Sequence, residues 1–379
     1  MKVLCIVSEF SGHIDFGGMG FLRLAEAMKN QGHEIIWAAP PVHLSTLVKC
    51  GFNKYSFTET AALHIRPFFT TQLLSKHSKE FITRIELIKK LYIEIKLISP
   101  DIILLDRVLQ IGFLISEQLQ IPSVSVGSPG GYWSKSKAGV SMVATPIQDY
   151  VEVGEQIKDK LNWNKGRLTS LWGYSAYLNI CFLGKSFYDC NQVANSAYVY
   201  HFDNRAEDTE RHSFGISYGN SGPPEKMMQT LHCLMQIRQL FSSVEIFTGA
   251  QEQIYEALKR QLGNSANLHA WVKFSDYFYN MKGLAFFGGV GTVWECINYN
   301  VPMFVVPTIV GDQARNANAI ERLGLGRCID ATNNKDEIVE IIQKTLCAGT
   351  YLGNIKEFKK RENYTDTMDT TVDKIAGLR

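Results

Sequence analysis

A short stretch in the C-terminal half, residues 284–319, combines a glycine-rich turn with polar side chains at regular intervals. An apolar strand predicted at 284–287 runs into the sequence Gly-Gly-Val-Gly-Thr, which ends at Thr292, where a helical pattern begins. Glycines let a ligand approach the backbone closely, and the free N–H groups at a helix start favour phosphate. Glu295 lies one turn further in, where its carboxylate can accept hydrogen bonds from paired sugar hydroxyls. The chemistry predicted here is the binding of phosphate groups and a sugar.

A second polar pair follows the next predicted strand. The apolar residues 303–306 end at Pro307, and Asp312 and Gln313 lie in the loop beyond it. In an open parallel sheet, ligands bind outside the carboxyl ends of the strands. We therefore expect Asp312 and Gln313 at the same sheet edge as the glycine-rich turn.

The whole stretch resembles the nucleotide-sugar signature of the family-1 glycosyltransferases, which are inverting enzymes built of two domains. The family pattern is His-Gly-Gly-x-Gly-Thr/Ser, then Glu, Gly-x-Pro and Asp-Gln-x-x-Asn-Ala, and its counterpart here runs from Phe287 to Ala317. The resemblance implies that Glu295 binds the ribose and that Asp312 and Gln313 bind hydroxyls of the donor sugar. It assigns the donor phosphates to the turn, formed by Gly288, Gly289, Gly291 and Thr292.

Two positions depart from that family pattern. Phe287 replaces the His that contacts the phosphates, and Asn300 replaces the Gly before x-Pro. Phe287 removes one cationic or hydrogen-bonding contact, so the predicted donor site lacks one of the family's phosphate ligands.

Two further segments of the C-terminal half resemble parts of the family's donor site. A predicted strand at 214–218 ends in a loop with Asn220 and Ser221, which resembles the phosphate-facing loop. Trp271 and Val272 lie where the family stacks the nucleobase, although the Pro-Gln that usually follows is absent. The alternative for Trp271 is a core or interface side chain.

Candidate catalytic residues lie in the N-terminal half. The sequence Ser-Gly-His, which ends at His13, follows strand 3–7 and resembles the family's opening segment, whose His is the general base on the acceptor. The resemblance makes Asp106, at the end of strand 101–105, the acid that orients His13. The alternatives are a surface role for His13 and a cap of the following helix for Asp106. Asp101 begins the same strand and is expected at the opposite edge of the sheet.

The acceptor side is less informative. Residues 130–190 are rich in Tyr, Trp, Gly and Lys, which predicts loops and short helices forming a lid or an acceptor wall. Tyr132 and Trp133 either line an acceptor pocket or pack between the domains. No pattern in this region identifies the acceptor, so a small hydrophobic product, a sugar and a lipid all stay open.

The elements that must position these residues alternate between strand and helix. Apolar strands are predicted in two series, at 3–7, 34–39, 101–105 and 123–126, then at 214–218, 243–248, 284–287 and 303–306. This alternation implies crossover units and parallel sheets covered on both faces. The fold class predicted is α/β, with two Rossmann-like doubly wound parallel-sheet domains facing a central cleft, the GT-B arrangement. The expected domains are 1–195 for the acceptor, 196–353 for the nucleotide sugar, and a tail, 354–379, that packs back on the N-terminal domain.

Composition excludes several other classes of function. The 379 residues include 39 basic and 37 acidic ones, and a net charge of +2 argues against nucleic acid as the main ligand. The eight cysteines include no Cys-x-x-Cys pair, which argues against a zinc site. No apolar run approaches the length of a spanning helix and no signal peptide is evident. We therefore expect a cytoplasmic monomer or homodimer with reduced thiols and no membrane contact.

The function predicted is inverting transfer of a sugar from a UDP- or dTDP-sugar to a hydroxyl group of a small-molecule or lipid acceptor. The resemblance implies no metal and no cofactor, because helix dipoles and backbone N–H groups hold the diphosphate. Two alternatives stay open. One is a degenerate relative that binds or assists a partner, which Phe287 supports, and the other is a nucleotide-sugar epimerase of the same shape.

Overall fold

A computed structural model of the chain describes most of its residues. The described residues are 1–8, 20–54, 56, 59–64, 79–127, 147–166, 174–188, 195–199, 210–219, 224–249, 252–270, 272, 274–307, 311–330, 332–362 and 366–378. At 147–150, 188, 224, 226, 275, 311 and 312 the backbone alone is described.

The first half of the chain forms a six-stranded parallel sheet with the strand order β2-β1-β3-β4-β5-β6. Its strands are β1 (Lys2–Ile6), β2 (Glu34–Ala38), β3 (Ile102–Asp106), β4 (Ser123–Val126), β5 (Leu178–Cys181) and β6 (Ser196–Tyr198). The helices between them are α1 (Phe21–Asn30), α2 (Pro41–Lys49), α3 (Lys79–Ile98), α4 (Gln110–Leu119), α5 (Ile147–Leu161) and α6 (Lys185–Tyr188). All five residues of β3 are buried, as expected for a strand covered on both faces.

The second half forms another six-stranded parallel sheet, with the order β12-β11-β10-β7-β8-β9. Its strands are β7 (Ser213–Ser217), β8 (Ser243–Phe247), β9 (Asn267–His269), β10 (Met281–Phe286), β11 (Met303–Val305) and β12 (Gly326–Cys328). Its helices are α7 (Pro224–Gln236), α8 (Glu252–Leu262), α9 (Ser275–Phe278), α10 (Val290–Asn298), α11 (Gly311–Arg322) and α12 (Lys335–Cys347). The predicted fold, two doubly wound α/β sheets, is confirmed.

The last two helices connect the two halves. Helix α13 (Thr350–Glu362) packs on α10 of the second sheet, and α14 (Met368–Ala376) packs on α1 of the first. The buried Lys359 donates to the carbonyl oxygen of Asn298 over 2.7 Å, which ties α13 to the end of α10. One apolar cluster also includes Trp37 of β2 in the first half and Trp294 of α10 in the second. The predicted domain limits at 195 and 353 stay predictions.

The prediction of loops and short helices for residues 130–190 is wrong for the described part of this region, which contains a long helix and a strand of the sheet. Within its described part, α5 is 15 residues long and β5 joins the first sheet next to β4. Two apolar residues of α5, Val153 and Ile157, are fully buried among otherwise charged neighbours, which is a weak sequence signal for a long helix. Strand β5 includes a buried Asn179, whose side-chain amide exchanges hydrogen bonds of 2.9 Å with the backbone of Ser175.

The described part of the chain contains no helix whose length and hydrophobicity would allow it to cross a membrane. The seven cysteines within that part are free thiols.

Candidate active site

Each sheet has one point where the chain reverses its direction of growth. In the first sheet β2 lies on one side of β1 and β3 on the other, and in the second β8 and β10 flank β7. The crevice between such a strand pair, at the carboxyl ends, is the usual ligand site of doubly wound folds. Topology alone therefore selects the ends of β1 and β3 in one half, and the ends of β7 and β10 in the other.

The glycine-rich turn lies directly after β10, at the second of these points. Phe286 of β10 pairs with Ser217 of β7, so the turn begins beside the end of β7. Gly288 has a φ of +92°, and a Cβ atom there would lie 2.9 Å from Val305 Cγ1 and 3.0 Å from the carbonyl oxygen of Gln313. Only glycine fits this position without strain. The chain can then turn sharply from the sheet into helix α10.

Helix α10 begins at Val290 with Gly289 as its N-cap, so the N-cap residue provides no side chain to satisfy the first N–H groups. A Cβ atom built at Gly289 or at Gly291 meets no atom of the described structure within 4 Å. None of the described residues therefore fills the space beside the two glycines at the start of α10. Exposed N–H groups at the positive end of a helix are suited to bind phosphate. Thr292 in this turn and Glu295 one turn later are both half-buried.

Helix α11 contacts the turn from the other side. The fully buried Asn316 donates from Nδ2 to the carbonyl oxygen of Gly288 over 2.8 Å. Gln313, which the sequence assigns to the donor sugar, is 5% exposed and lies at the start of the same helix. The backbone of Asp312 is part of α11, but its side chain lies outside the description.

Phe287 takes no part in the turn's polar surface. Its ring is 5% exposed and belongs to the apolar cluster that contains Tyr218 and Val306. From residue 283 to 314 the sequence has no Lys, Arg or His, while Glu295 and Asp312 are acidic. Residues 283–314, which include the turn and the first residues of α10 and α11, therefore carry two acidic side chains and no basic one.

A polar cluster between β8 and β9, centred on Glu245 in the middle of β8, was not foreseen from the sequence. Glu245 accepts hydrogen bonds from Ser243 at 2.6 Å and Asn267 at 2.9 Å, and lies 2.7 Å from Nε2 of His269. Although burial acts to raise it, these hydrogen bonds hold the pKa of Glu245 below its ordinary value. The ring of Tyr277 lies 4.6 Å from that of His269. An acidic residue inside the apolar strand β8 was the available signal.

This cluster supports the start of the predicted nucleobase segment. His269 ends β9, two residues before Trp271, and its backbone carbonyl accepts a hydrogen bond from the N–H of Thr248 over 2.9 Å. Val272 is half-buried and packs against the apolar core. The end of β9 is thus fixed to β8 by both backbone and side chains.

At the switch point of the first sheet, Asp106 is buried with 1% exposure. Its Oδ2 accepts hydrogen bonds from the N–H of Ser8, at 3.2 Å, and from the Ser8 hydroxyl, while Oδ1 accepts from the N–H of Val108 at 3.3 Å. The carbonyl oxygen of Ser8 is 2.8 Å from Nε2 of the buried His43. The N-cap residue of α4 is Leu109, so the side chain of Asp106 does not cap that helix. Asp106 fixes the end of β1, where the segment with His13 begins.

Asp101 lies at the other edge of the sheet, where its Oδ2 accepts from the N–H of Lys2 over 2.6 Å. Sequence reasoning missed Ser8 and His43, which no local pattern connects with Asp106. Six predicted site residues lie outside the described residues, namely His13, Tyr132, Trp133, Asn220, Ser221 and Trp271.

Comparisons with known proteins agree with this arrangement. Residues 225–367 match the family described as "Glycosyltransferase family 28 C-terminal domain". A stretch of 81 residues, 21% of this chain, is 32% identical to the ecdysteroid UDP-glucosyltransferase of Mamestra brassicae nuclear polyhedrosis virus. That match spans only 15% of the length of the viral protein.

Several solved structures share the whole fold at low sequence identity. The spinosyn rhamnosyltransferase SpnG has a TM-score of 0.70 at 16% identity, with 99% of this chain and 100% of that chain covered. The glycotransferase of kitacinnamycin has a TM-score of 0.73 at 16% identity and covers 100% and 98%. The calicheamicin glycosyltransferase CalG4 has a TM-score of 0.69 at 16% identity, with the same coverage.

The fold is that of the GT-B glycosyltransferases. Its second half, which contains the glycine-rich turn and helices α10 and α11, carries the match to a glycosyltransferase domain. The matching family is number 28, whereas the signature of residues 287–317 resembles that of family 1. The comparisons therefore support the broader class of glycosyltransferases with the GT-B fold, without distinguishing between the two families.

Proposed function

We propose that this protein is a glycosyltransferase of the inverting, family-1 type, which moves a sugar from a UDP- or dTDP-sugar to a hydroxyl acceptor. The observation that carries the proposal is the first turn of α10, a helix start with a glycine N-cap at a topological switch point, where no described residue fills the space beside Gly289 and Gly291. Among the similar structures, SpnG is described in complexes with thymidine diphosphate and with spinosyn aglycone. Those ligands belong to the same two chemical classes as the donor and acceptor proposed here.

The donor binds to the second sheet. The backbone N–H groups after Gly288 and the hydroxyl of Thr292 hold the diphosphate, together with the loop of Asn220 and Ser221. Glu295 accepts hydrogen bonds from the ribose, and the base lies against Trp271 and Val272. Asp312 and Gln313 contact hydroxyls of the transferred sugar. Helix α10 supplies positive potential at the diphosphate, so the reaction needs neither a metal ion nor another cofactor.

The acceptor binds to the first sheet, in a pocket that includes Tyr132 and Trp133. His13 takes the proton from the acceptor hydroxyl as its oxygen attacks the anomeric carbon. The bond between that carbon and the diphosphate oxygen breaks in the same step, and the nucleoside diphosphate leaves with the bonding electrons. Asp106 holds His13 in the required tautomer and stabilises the imidazolium. Because there is one displacement, an α-linked donor gives a β-linked product.

The direct experiment is turnover with a panel of acceptors. UDP- and dTDP-sugars are incubated with the protein and a metabolite library, and free nucleoside diphosphate and acceptor mass are followed. The proposal predicts diphosphate release only with an acceptor, together with an acceptor product heavier by one sugar residue. Isomerised donor without an acceptor would indicate an epimerase. Absence of turnover with every pair, while a partner protein still binds, would indicate the helper role that Phe287 favours.

A further inference from the structure

The donor-phosphate turn has a charge problem that the residues around it in the sequence do not solve. A diphosphate carries at least two negative charges, and residues 283–314 add Glu295 and Asp312 without any Lys, Arg or His. The helix N-terminus offsets only about half an elementary charge. A cation from outside this stretch is therefore needed close to the start of α10. The next residue, Arg315 of α11, is half-buried and its Nε atom is buried, so it is less open to a ligand than a fully exposed side chain.

One basic side chain of the first half reaches this helix. Arg23 belongs to α1, and its guanidinium carbon lies 5.7 Å from the ring centroid of Trp294 in α10, within the range of a cation–π contact. Trp294 is 3% exposed, whereas Arg23 is exposed. The contact therefore joins the two sheets, and the positive group stays accessible to a ligand from solvent.

Arg23 contacts α10 at Trp294, about one helical turn from the first turn of that helix. Gly291 and Trp294 are three residues apart and so lie on the same face of the helix. Because a Cβ atom at Gly291 meets no atom of the described residues within 4 Å, none of these residues fills the space on that face of the first turn. One helical turn is 5.4 Å, a distance that a rotation of the long arginine side chain can span.

Arg23 is also placed unfavourably for its own helix. It is the third residue of α1, whose first turn contains no acidic side chain. A positive charge in the first turn of a helix is disfavoured by the helix dipole. The dipole of α1 therefore does not favour an arginine here, whereas an anion between the starts of α1 and α10 would offset this unfavourable interaction.

We propose that Arg23 is the donor-diphosphate cation of this protein, supplied across the cleft by the acceptor-side half. This inference rests on the proposed function and adds a binding residue to it. Arg23 supplies the charge that Phe287 cannot supply. It also neutralises the extra negative charge that forms on the diphosphate as the bond to the sugar breaks, which makes it a leaving-group ligand as well.

Calorimetric titration of the whole protein tests the proposal, with UDP, dTDP, uridine, thymidine and inorganic pyrophosphate as probes. Arg23→Gln should weaken binding of the diphosphates by about 10-fold or more, because a hydrogen bond to a charged group is lost. The nucleosides should bind as before, and Arg23→Lys should keep part of the affinity. Lys29→Gln is the matched control, because Lys29 lies on the same helix and stacks at 5.0 Å on Phe52, away from α10.

The outcomes separate this inference from the proposed function. Nucleotide binding that Arg23→Gln leaves within about two-fold of the wild type supports the function and overturns the role of Arg23. Equal losses for nucleoside and diphosphate overturn it as well, because they indicate a structural role. Pyrophosphate binding that depends on Arg23, without nucleotide binding, supports Arg23 and contradicts the donor. Absence of binding for every probe overturns both. Thermal denaturation of each variant verifies that it is folded.

Discussion

The side-chain amide of Asn316 donates a hydrogen bond to the carbonyl oxygen of Gly288 over 2.8 Å. This bond joins the start of α11 to the turn that precedes α10, the two parts of the predicted donor signature. Asn316 is fully buried, and Gly288 has a positive φ. Without the hydrogen bond from Asn316, this glycine could readily adopt other backbone conformations. Asn316 is therefore a positioning residue that holds the glycine-rich turn against α11.

Replacing Asn316 by Ala should destabilise the protein and loosen the turn. The carbonyl group of Gly288 would lose its buried partner, which costs about 1–3 kcal/mol. The free energy of unfolding, measured with urea, should fall by that amount. The matched control is Asn354→Ala, which removes an amide-to-carbonyl bond of 3.0 Å to Gly324 at an exposed position and should cost less. Equal losses of the free energy of unfolding in the two variants would show that burial does not make the hydrogen bond to Gly288 more stabilising.

Replacing Gly291 by Ala should separate stability from ligand binding. The added methyl group meets no atom of the described structure, and alanine favours the helix, so unfolding should be unchanged or slightly harder. The same methyl group would occupy space needed by a phosphate, so UDP or dTDP affinity should fall at least about 10-fold. Gly288→Ala should instead lower stability, because its Cβ would lie 2.9 Å from Val305. Unchanged nucleotide affinity in Gly291→Ala would remove the diphosphate from this face.

The sequence predicts the glycine-rich turn and its flanking elements well because the relevant residues are neighbours in the chain. Strand β10, Gly288 and the start of α10 follow one another, so local signals are enough to place them. Contacts between distant segments carry no such signal. Ser8 and Asp106 are 98 residues apart, and Arg23 meets Trp294 from the other sheet.

Short elements limited the prediction of the fold in the same way. Strands β9 and β12 have three residues each, too few to show a periodic pattern. Sheet order is likewise a property of the whole chain, although the rule that connections are right-handed and short restricts it. Family resemblance supplied the GT-B arrangement that the strand pattern alone left open.

Glu245 should make stability depend on pH. Its folded pKa is lowered, so its contribution is present above the ordinary carboxyl range and is lost as pH falls through the folded value. Glu245→Gln should therefore unfold more easily than the wild type near neutral pH, and the difference should shrink at an acidic pH below the ordinary carboxyl range. Urea unfolding at both pH values measures this. Glu34→Gln, at an exposed ion pair with Lys54, is the control and should change little. A difference that stays constant with pH would contradict the role of the Glu245 carboxylate.

His13 and Asp106 should affect catalysis more than donor binding. Loss of a general base lowers kcat by about 10²–10⁴-fold, so His13→Ala should do so with little change in donor affinity. Asp106→Asn should cause a smaller loss in the same direction. Ser8→Ala is an informative comparison, because it removes the hydroxyl that donates to Asp106 and leaves the carboxylate. Steady-state kinetics should use an aliphatic alcohol acceptor. A phenol can ionise without a general base, so it would mask the loss of His13. A kcat near the wild-type value in His13→Ala would refute the assignment.

The central claim is that a nucleoside diphosphate binds on the first turn of α10, and calorimetric titration of UDP and dTDP tests it most directly. We expect the wild type to bind at least one of the two nucleotides, with the same affinity in the presence and in the absence of EDTA. We also expect that Thr292→Ala and Glu295→Ala each weaken binding by about 10-fold or more, while Thr83→Ala on the exposed face of α3 does not. Affinity that both variants retain, or that EDTA abolishes, would contradict the account.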